Sequence, residues 1–261
     1  MKNIIAFVKV FSVFVALLLI MPPLWLVHKT KFSPTYNWIG FKIVCFCLGL
    51  KIKVRKGQFS KAKKLLIISN HISYLDVFTL GSLIKTNFIA KEDVKKWPMF
   101  GTIATWGNTV YISRNRMKAK SQIDTIENAL KKNPIPIVIY PEGTSSNGNE
   151  MYPFKSSMFS MFEDYHPQNP AESIKIQPIS IAYTYKGKKR TNEEERKIFA
   201  FYIKEQSFIE NMFIVAKNTP CTMEVIFHDE IDVQKLGMDR KELSVYSHDI
   251  VEKGFNELIN S

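Results

Sequence analysis

The chain has 261 residues, 46% of them hydrophobic, and a formal net charge of +12. This composition is too apolar for a disordered chain and not apolar enough for a polytopic membrane protein, so it predicts one core. The positive charge favours anionic partners such as phospholipid head groups. No recognised nucleic-acid module is visible and no aromatic ladder interleaves with the basic residues, which argues against nucleic acid.

The first predicted element is an apolar N-terminal helix. Residues 4–27 are apolar apart from Lys9, and residues 10–27 carry no charge, a length that can span a bilayer. Pro22 and Pro23 interrupt the run, so a tilted span, a re-entrant helix and a helix lying in one leaflet all stay open. A signal peptide is disfavoured, because no small-x-small cleavage site follows.

A second helix is predicted over residues 36–50 and favours an interfacial amphipathic position, although packing of the same face on the protein's own core is equally compatible. That face carries Trp38, Phe41, Cys45 and Leu48. A basic cluster that would meet anionic head groups follows it, namely Lys51, Lys53, Arg55 and Lys56. We expect residues 1–55 to form a membrane-anchoring segment and residues 56–261 to form the main domain.

From Leu65 the pattern changes to short apolar runs that alternate with helical segments. Residues 65–69 predict a buried strand that delivers Asn70 and His71 to its C-terminal end, and a helix is expected over 73–84. Further elements are strands at 87–90, 110–112 and 135–140 and an amphipathic helix at 121–132. Ligands of α/β sheets bind at the C-terminal ends of strands, so the turns after these strands are expected to converge.

The last third of the chain completes the predicted fold. Strands are expected at 174–183 and 222–227. The charged stretch 186–197 between them is predicted to be a solvated loop and helix start, and residues 239–242 resemble a capping box that opens a helix to about Leu258. The fold class is therefore α/β, a single mixed-sheet domain flanked by helices, with an N-terminal membrane-associated helical segment.

His71 and Asp76, five positions apart, form the most informative pair in the sequence. A carboxylate that holds one imidazole nitrogen fixes the tautomer and stabilises the imidazolium, so the pair can deprotonate a hydroxyl. The segment contains neither a Gly-x-Ser-x-Gly elbow nor a reactive-cysteine context. The attacking group is therefore expected to belong to a substrate, which indicates direct group transfer.

Asn70, His71 and Asp76 also resemble the Asn-His-x-x-x-x-Asp signature of the 1-acylglycerol-3-phosphate acyltransferases and their lysophospholipid and glycerol-phosphate relatives. Three further blocks of that family resemble residues 107–114, 140–146 and 176–181, in the family's order. Each block alone is weak, but four in order are specific. The chain is identified on this basis as a member of the family, which makes residues 56–261 a glycerolipid acyltransferase domain.

The resemblance implies transfer of a fatty-acyl chain from acyl-CoA or acyl-carrier protein to a lysolipid hydroxyl, with 1-acylglycerol-3-phosphate as the default acceptor. It also implies the cytosolic face of the bacterial inner membrane and no metal or redox cofactor. Outside this class, an inactive lipid-binding membrane protein and a thioesterase are the alternatives.

Residue by residue, the resemblance implies that His71 and Asp76 are catalytic and that Arg114 grips a phosphate or carboxylate. The remaining substrate-binding set is Lys91, Glu142, Gly143, Thr144 and Ser145. Within it, Glu142 is expected to orient Arg114, a lysine or backbone amides, because an acidic side chain repels an anionic ligand. Gly143 permits a tight turn.

The chain departs from the commonest family pattern at Ser145, where many enzymes acting on lysophosphatidic acid carry arginine, and at Ser113, where aspartate is frequent. The longer runs 142–148 and 153–157 look like the branch that acylates lyso-ornithine lipid or other lysophospholipids. Lys155 is a candidate replacement for the missing charge.

No metal site is predicted. Cys45 and Cys47 lie in an apolar run, where free cysteine behaves as a small hydrophobe, and Cys221 shows no pairing pattern with them. The histidines outside the motif show no ligand spacing with one another; they are His28, His166, His228 and His248.

Overall fold

The computed structural model describes residues 1–96, 100–112, 125, 128–129, 135–162, 173–201 and 206–261. The described strands are Leu50–Lys56 (β1), Leu65–Ser69 (β2), Asn87–Lys91 (β3), Val110–Ile112 (β4), Ile137–Ile139 (β5), Lys175–Lys186 (β6), Lys189–Arg190 (β7), Cys221–Phe227 (β8) and Ile231–Asp232 (β9). The described α-helices are Lys2–Val27 (α1), Ser33–Leu48 (α2), Leu75–Leu83 (α3), Phe100–Trp106 (α4), Glu193–Phe199 (α5), Phe208–Asn218 (α6), Val233–Leu236 (α7) and Arg240–Asn260 (α8). Short 3₁₀ helices cover Glu92–Lys96 and Ser156–Phe162.

These strands form one mixed sheet in the order β1-β8-β6-β2-β5-β3-β4, with β7 and β9 paired to β6. The run from β6 to β4 is parallel, whereas β8 lies antiparallel to β6 and parallel to β1. Because β2 and β5 are parallel neighbours, the segments that follow them emerge at the same edge of the sheet. The predicted mixed-sheet α/β fold is confirmed, and the predicted strands are present with ends shifted by a few residues.

The centre of the sheet explains the apolar run that predicted β2. All five residues of β2 are buried, because helices cover both faces of the strand. Leu65 and Ile67 join a core that includes residues of α1, α2, α3 and α6, whereas Leu66 and Ile68 join the core under α8. The predicted capping box is also confirmed, since Asp239 accepts the N–H groups of Lys241 and Glu242 at the start of α8.

Helix α1 runs without a break through Pro22 and Pro23, so the expected interruption is wrong. One stripe of the helix is buried, at spacings of three and four, and consists of Ala6, Val10, Val13, Leu17, Ile20 and Leu24. The stripe packs on α2 and α6. Packing of Ile20 and Leu24 on either side of the prolines offsets the backbone hydrogen bonds that proline cannot donate.

The opposite face of α1 is apolar and exposed, and includes Phe7, Phe11, Leu18, Leu19, Trp25 and Leu26. By length and composition the helix is sufficient to cross a membrane. The one charged side chain in this apolar stretch, Lys9, donates to the hydroxyl of Thr219 at 2.7 Å and to its carbonyl at 3.3 Å, at the end of α6.

Helix α2 confirms the second predicted helix and ends at Gly49, whose φ of +74° suits a glycine C-cap. Its predicted apolar face packs on α3, with Cys45 and Leu48 buried. The structure therefore agrees with the alternative in which this face packs on the protein's own core. Other apolar side chains of α2, such as Phe46 at 86% exposure, remain on the outside.

The basic cluster after α2 lies on the edge strand β1, which straddles the expected boundary between residues 55 and 56. Lys53 and Arg55 lie 3.3 and 3.6 Å from a carboxylate oxygen of Glu224, whose side chain is fully buried. Arg190 of β7 lies 3.4 Å from the other oxygen. Two members of the cluster therefore neutralise a buried carboxylate, and contact of the cluster with lipid head groups stays a prediction.

For the charged stretch 186–197 we expect a solvated loop and a helix start. The helix start is confirmed, because α5 begins at Glu193 and is capped by Asn192. The loop is wrong, because the residues before the helix form the β6–β7 hairpin. Arg196 is buried and donates to the side-chain oxygen of Asn149 at 2.7 Å. The charge pattern failed because two of its arginines, Arg190 and Arg196, face partners inside the fold.

Candidate active site

The strand-to-helix connection between β2 and α3 begins at Asn70, whose side chain is buried. Its amide nitrogen donates to the carbonyl of Ile181, and its oxygen accepts the N–H of the same residue, both at 2.9 Å. These two bonds tie the end of β2 to β6. Residue 71 is thereby held at the carboxyl edge of the sheet, where the sequence predicted it.

His71 and Asp76 are in contact, as their spacing predicted. Nδ1 of His71 lies 2.9 Å from Oδ2 of Asp76, which sits in the first turn of α3. The same oxygen accepts the N–H groups of Ile72 at 2.7 Å and Ser73 at 2.9 Å. A carboxylate oxygen is an acceptor, so Nδ1 carries the proton and Nε2 is the basic nitrogen of the neutral ring.

The two members of the pair differ in exposure. The Asp76 side chain is fully buried, whereas the His71 side chain is 20% exposed. A buried carboxylate that holds a partly exposed imidazole is the arrangement of a general base with an orienting acid.

Two tyrosines that the sequence did not single out complete this arrangement. The Tyr140 ring stacks on the His71 ring with centroids 4.2 Å apart and planes 20° apart, which limits rotation of the imidazole. The Tyr183 hydroxyl donates to Oδ1 of Asp76 at 2.9 Å. Tyr140 was visible in the 140–146 block and Tyr183 on a predicted strand, but no local signal indicated that either would reach the pair.

Glu142 is buried, and both of its carboxyl oxygens are engaged by backbone N–H groups. One of its oxygens accepts the N–H of His71 at 2.7 Å and the other accepts the N–H of Tyr152 at 2.8 Å. Burial raises the pKa of Glu142 to about 8, against the lowering effect of these two hydrogen bonds. Of the three expected partners of Glu142, which were Arg114, a lysine and backbone amides, the described residues show the backbone amides. Its place among the substrate-binding residues stays a prediction.

The loop after Glu142 is tied to the His71 segment, because the N–H of Ser146 donates to the carbonyl of His71 at 2.8 Å. Gly143 has a φ of +69°, so the backbone favours glycine, and the absence of a Cβ leaves room for Nζ of Lys155, which would otherwise lie 2.5 Å from it. Thr144 is exposed and Ser145 is half-buried. The structure thus brings three predicted binding residues and the proposed replacement cation, Lys155, to one loop beside the base.

Two predicted binding residues are not located in this way. Arg114 lies outside the described residues. So does the predicted helix 121–132, apart from residues 125 and 128–129, and the side chain of Lys91 is not described either. The strand that leads to Arg114, β4, pairs in parallel with β3, with Ile112 opposite Lys91. Both strands end at the same edge of the sheet as β2 and β5.

A serine–histidine contact lies under α8. Nε2 of His228 is 2.8 Å from the Ser180 hydroxyl, which itself lies 2.6 Å from the carbonyl of Val251. The hydroxyl donates to that carbonyl, so it accepts from His228 and cannot pass its proton to the ring. The contact is therefore not a nucleophile with its base.

Possible metal ligands and thiols lie apart from this chemistry. On the surface of α8, ligand atoms of His248, Asp249 and Glu252 lie within 4.8 Å of one another. They form a cluster that the histidine spacing alone did not reveal. Cys45 and Cys221 are buried free thiols, as expected of small hydrophobic residues.

The fold and the site define an α/β protein with a hydrogen-bonded His–Asp pair, suited to general-base chemistry, at the carboxyl edge of a mixed sheet. The family model described as Acyltransferase matches residues 51–182, about half of the chain, including both members of the pair. The chain therefore belongs to the Acyltransferase family, as the sequence motifs predicted.

Similarity to characterised relatives extends over different shares of the chain. It is 34% identical over 162 residues to the lyso-ornithine lipid O-acyltransferase of Rhizobium meliloti, which covers 62% of this chain and 54% of that protein. It is 27% identical over 243 residues to the enzyme of the same name from Rhodobacter capsulatus, covering 93% and 83%. The 1-acyl-sn-glycerol-3-phosphate acyltransferase of Neisseria meningitidis is 28% identical over 148 residues, covering 57% and 55%.

The fold also matches a solved structure. The crystal structure of the 1-acyl-sn-glycerophosphate (LPA) acyltransferase PlsC from Thermotoga maritima superposes with a TM-score of 0.68, over 99% of this chain and 98% of that one. At 18% identity, this match establishes the shared architecture and extends it to the N-terminal helices.

Proposed function

We propose that this protein is a membrane-associated O-acyltransferase that moves a fatty-acyl chain from a thioester to the hydroxyl of a lysolipid. The observation that carries the proposal is the 2.9 Å contact between His71 Nδ1 and a buried Asp76 oxygen. That contact leaves Nε2 as the basic nitrogen on a partly exposed ring. Membership of the Acyltransferase family supplies the reaction class.

In the proposed reaction, Nε2 of His71 takes the proton of the lysolipid hydroxyl as its oxygen attacks the thioester carbonyl. The new C–O bond forms, the C–S bond breaks, and the imidazolium returns the proton to the departing thiolate. Asp76 holds the ring and stabilises the imidazolium between these events. No acyl-enzyme is needed, so the ester forms in one transfer.

The proposed donor is acyl-CoA or acyl-carrier protein. Both carry phosphate, and the loop beside the base offers the Thr144 and Ser145 hydroxyls and the Lys155 ammonium, with Arg114 as the family's phosphate contact. Lys91 is a second-tier contact. The net charge of +12 favours either donor over a neutral one.

For the acceptor, two lysolipids remain in the proposal. Lyso-ornithine lipid is favoured by the names of the Rhizobium and Rhodobacter relatives and by Ser145, which stands where many enzymes acting on lysophosphatidic acid carry arginine. 1-Acylglycerol-3-phosphate is favoured by the name of the Neisseria relative and by Arg114. The two acceptors differ in a phosphomonoester, which a guanidinium binds strongly.

The proposed position is in one leaflet, on the cytosolic face of the inner membrane, where the acyl donors are made. Helix α1 contacts the rest of the protein at three levels: Lys9 bonds Thr219, the Phe14 ring lies 6.5 Å from the Phe100 ring, and the His28 ring lies 6.3 Å from the Trp106 ring. A helix crossing the bilayer would carry these partners into the hydrocarbon core. Burial of its exposed apolar face in one leaflet avoids that cost.

The experiment uses purified protein in mixed micelles, labelled acyl-CoA or acyl-carrier protein, and a panel of lysolipids, followed by identification of the labelled product. The proposal predicts a labelled diacyl lipid. Labelled free fatty acid alone indicates a thioesterase, and lipid binding without turnover indicates an inactive relative; either result contradicts the proposal.

The acceptor is tested with Ser145→Arg. If wild type lacks a phosphate clamp at this position, the variant should raise the rate on lysophosphatidic acid relative to lyso-ornithine lipid, because a positioned guanidinium adds about 1.5–3 kcal/mol of charge-assisted bonding. Should wild type already prefer lysophosphatidic acid and the ratio not change, the acceptor is 1-acylglycerol-3-phosphate.

A further inference from the structure

The carboxylate of Asp76 is held at both oxygens. Oδ2 accepts the three N–H groups of the His71 loop, and Oδ1 accepts the Tyr183 hydroxyl at 2.9 Å. Tyr183 lies 107 positions further along the chain and is 1% exposed. The bond therefore joins the catalytic loop to the middle of the sheet.

The position of the Tyr183 hydroxyl is determined by rigid elements. Tyr183 lies on β6, two residues beyond Ile181, whose backbone makes both hydrogen bonds to Asn70. The Tyr183 ring stacks on Phe199 of α5 with centroids 5.7 Å apart. Strand pairing and ring packing thus aim the hydroxyl at Asp76 before any substrate binds.

Tyr183 acts as a donor at every working pH. Burial, followed by the charge of Asp76, raises the pKa of Tyr183 well above its usual value. The phenol therefore keeps its proton and directs it at Oδ1.

We propose that Tyr183 is a positioning residue for the general base: its hydroxyl fixes the rotation of the Asp76 carboxylate and shares its negative charge, and thereby tunes the proton affinity of His71. The catalytic consequence rests on the proposed function. The effect on His71 does not, because it needs no substrate.

The direction of the effect follows from electrostatics. A hydrogen bond to Oδ1 withdraws negative charge from the carboxylate, so it weakens the attraction between Asp76 and the imidazolium. Without the hydroxyl, the imidazolium is stabilised more strongly and the carboxylate is free to turn. The ring then becomes neutral only at a higher pH, and its orientation is less well defined.

Other titratable groups in the described part of the site lie around His71. Asp76 approaches it from α3, Tyr140 and Glu142 from the segment after β5, and Lys155 lies beside Gly143 in the adjoining loop. Tyr183→Phe leaves all four in place. The difference between the wild-type and variant titrations therefore isolates the hydroxyl.

The test is an NMR titration of the His71 ring in the full-length protein in micelles, with ¹³C-labelled histidine and His71→Ala to assign the signal. In Tyr183→Phe the titration midpoint is expected to rise by about 0.5–1 pH unit. Where turnover is measurable, the midpoint of the acid limb in the pH profile of kcat should move to higher pH by the same amount. kcat should fall by about 10–100-fold, by analogy with the loss of a hydrogen-bonding partner behind a metal-bound imidazole, with KM unchanged.

The matched control is Thr184→Val, at the residue that follows Tyr183. The substitution removes a buried hydroxyl that has no hydrogen-bond partner among the described residues. It should leave the titration unchanged. If Tyr183→Phe does not fold, 3-fluorotyrosine at position 183 provides the second variant. Its more acidic phenol is a stronger donor, so it should move the midpoint to lower pH.

A folded Tyr183→Phe protein whose His71 midpoint equals that of wild type overturns the proposal, as does a 3-fluorotyrosine variant with no shift. Failure of the proposed function is distinguishable, because it would remove turnover from wild type while leaving the predicted shift of the titration intact.

Discussion

The carboxylate of Glu142 binds the backbone of His71 and leaves its side chain to Asp76. Its Oε1 accepts the His71 N–H at 2.7 Å, while Oε2 accepts the N–H of Tyr152 at 2.8 Å. The loops after β2 and β5 are thereby joined through one buried side chain. The position of the base depends on this junction as well as on Asp76.

Above pH 8, where the Glu142 carboxyl is ionised and both of its oxygens accept an N–H, Glu142→Gln is expected to weaken the junction. The amide has one acceptor oxygen and presents an NH₂ group to the second N–H, so one of the two buried bonds is lost. The free energy of unfolding should fall by about 1–3 kcal/mol, and kcat should fall with it. Thermal unfolding in detergent and acyl-transfer rates measure the two effects.

The control for this variant is Glu150→Gln in the same segment, where the exposed carboxylate accepts the Asn147 side chain at 2.9 Å. Its stability should stay within about 0.5 kcal/mol of wild type. Equal stability of both variants would show that the buried contacts of Glu142 contribute nothing.

The same carboxyl predicts a pH dependence of stability. Its pKa is raised from 4.5 to about 8 in the folded protein, so between these values the folded state holds a proton that the unfolded chain has released. The free energy of unfolding must then fall as pH rises from 4.5 through 8. The measurement is the stability difference between wild type and Glu142→Gln across this range.

All other titrating groups are common to both proteins and cancel in that difference. Wild type should lose stability relative to Glu142→Gln as the pH rises. A difference that stays constant, or that moves in favour of wild type, would mean that the folded protein holds Glu142 ionised.

Local sequence signals predicted much of this structure, because they report on contacts near in the chain. The apolar run of β2, the capping box at Asp239 and the spacing of His71 and Asp76 each depend on a few neighbouring residues. The turns after β2 and β5 converge, as the rule for parallel strands predicted.

What the sequence did not reveal depends on distant partners. Tyr183 and Glu142 acquire their roles from residues 107 and 71 positions away, and Glu224 is neutralised by cations from two other strands. Composition made the stretch 186–197 look solvated, since charge alone does not show that an arginine has a buried acceptor. Likewise, Pro22 and Pro23 lower the local helix propensity of α1, but packing against the rest of the protein keeps the segment helical.

The ion pairs of Glu224 and of Glu257 predict different losses of stability when each glutamate is replaced by glutamine. Glu224→Gln removes a fully buried charge that faces three cations from β1 and β7. It should cost about 3 kcal/mol, the lower end for breaking a buried pair, because the cations are partly exposed. Glu257→Gln removes a surface partner of Lys56 that is 49% exposed, and should cost about 0–1 kcal/mol.

Thermal unfolding of the two variants under identical conditions makes this comparison. Similar losses for both would contradict the assignment of Glu224 as a buried charge that the fold depends on.

Membrane attachment is predicted to depend on the exposed face of α1. Leu18 and Leu19 are 60% and 71% exposed, so Leu18→Glu with Leu19→Glu should release the protein from vesicles without lowering its stability in detergent. High salt should leave wild type bound, because salt screens charge but not apolar burial. Sedimentation with vesicles measures both.

The matched control places two glutamates on α8, as Val245→Glu with Tyr246→Glu, at residues that are 60% and 40% exposed. This variant should remain bound. Release of wild type by salt alone, or equal release of the two double variants, would show that α1 is not the anchor.

The proposed mechanism depends on His71 as the general base, and the most direct measurement is acyl transfer by folded, vesicle-bound His71→Ala, with Asp76→Asn beside it. Removal of general-base assistance should lower kcat by about 10²–10⁴-fold, while membrane binding persists. Asp76→Asn should be severely impaired as well, because an amide favours the wrong imidazole tautomer. Turnover at the wild-type rate in folded His71→Ala would contradict the mechanism.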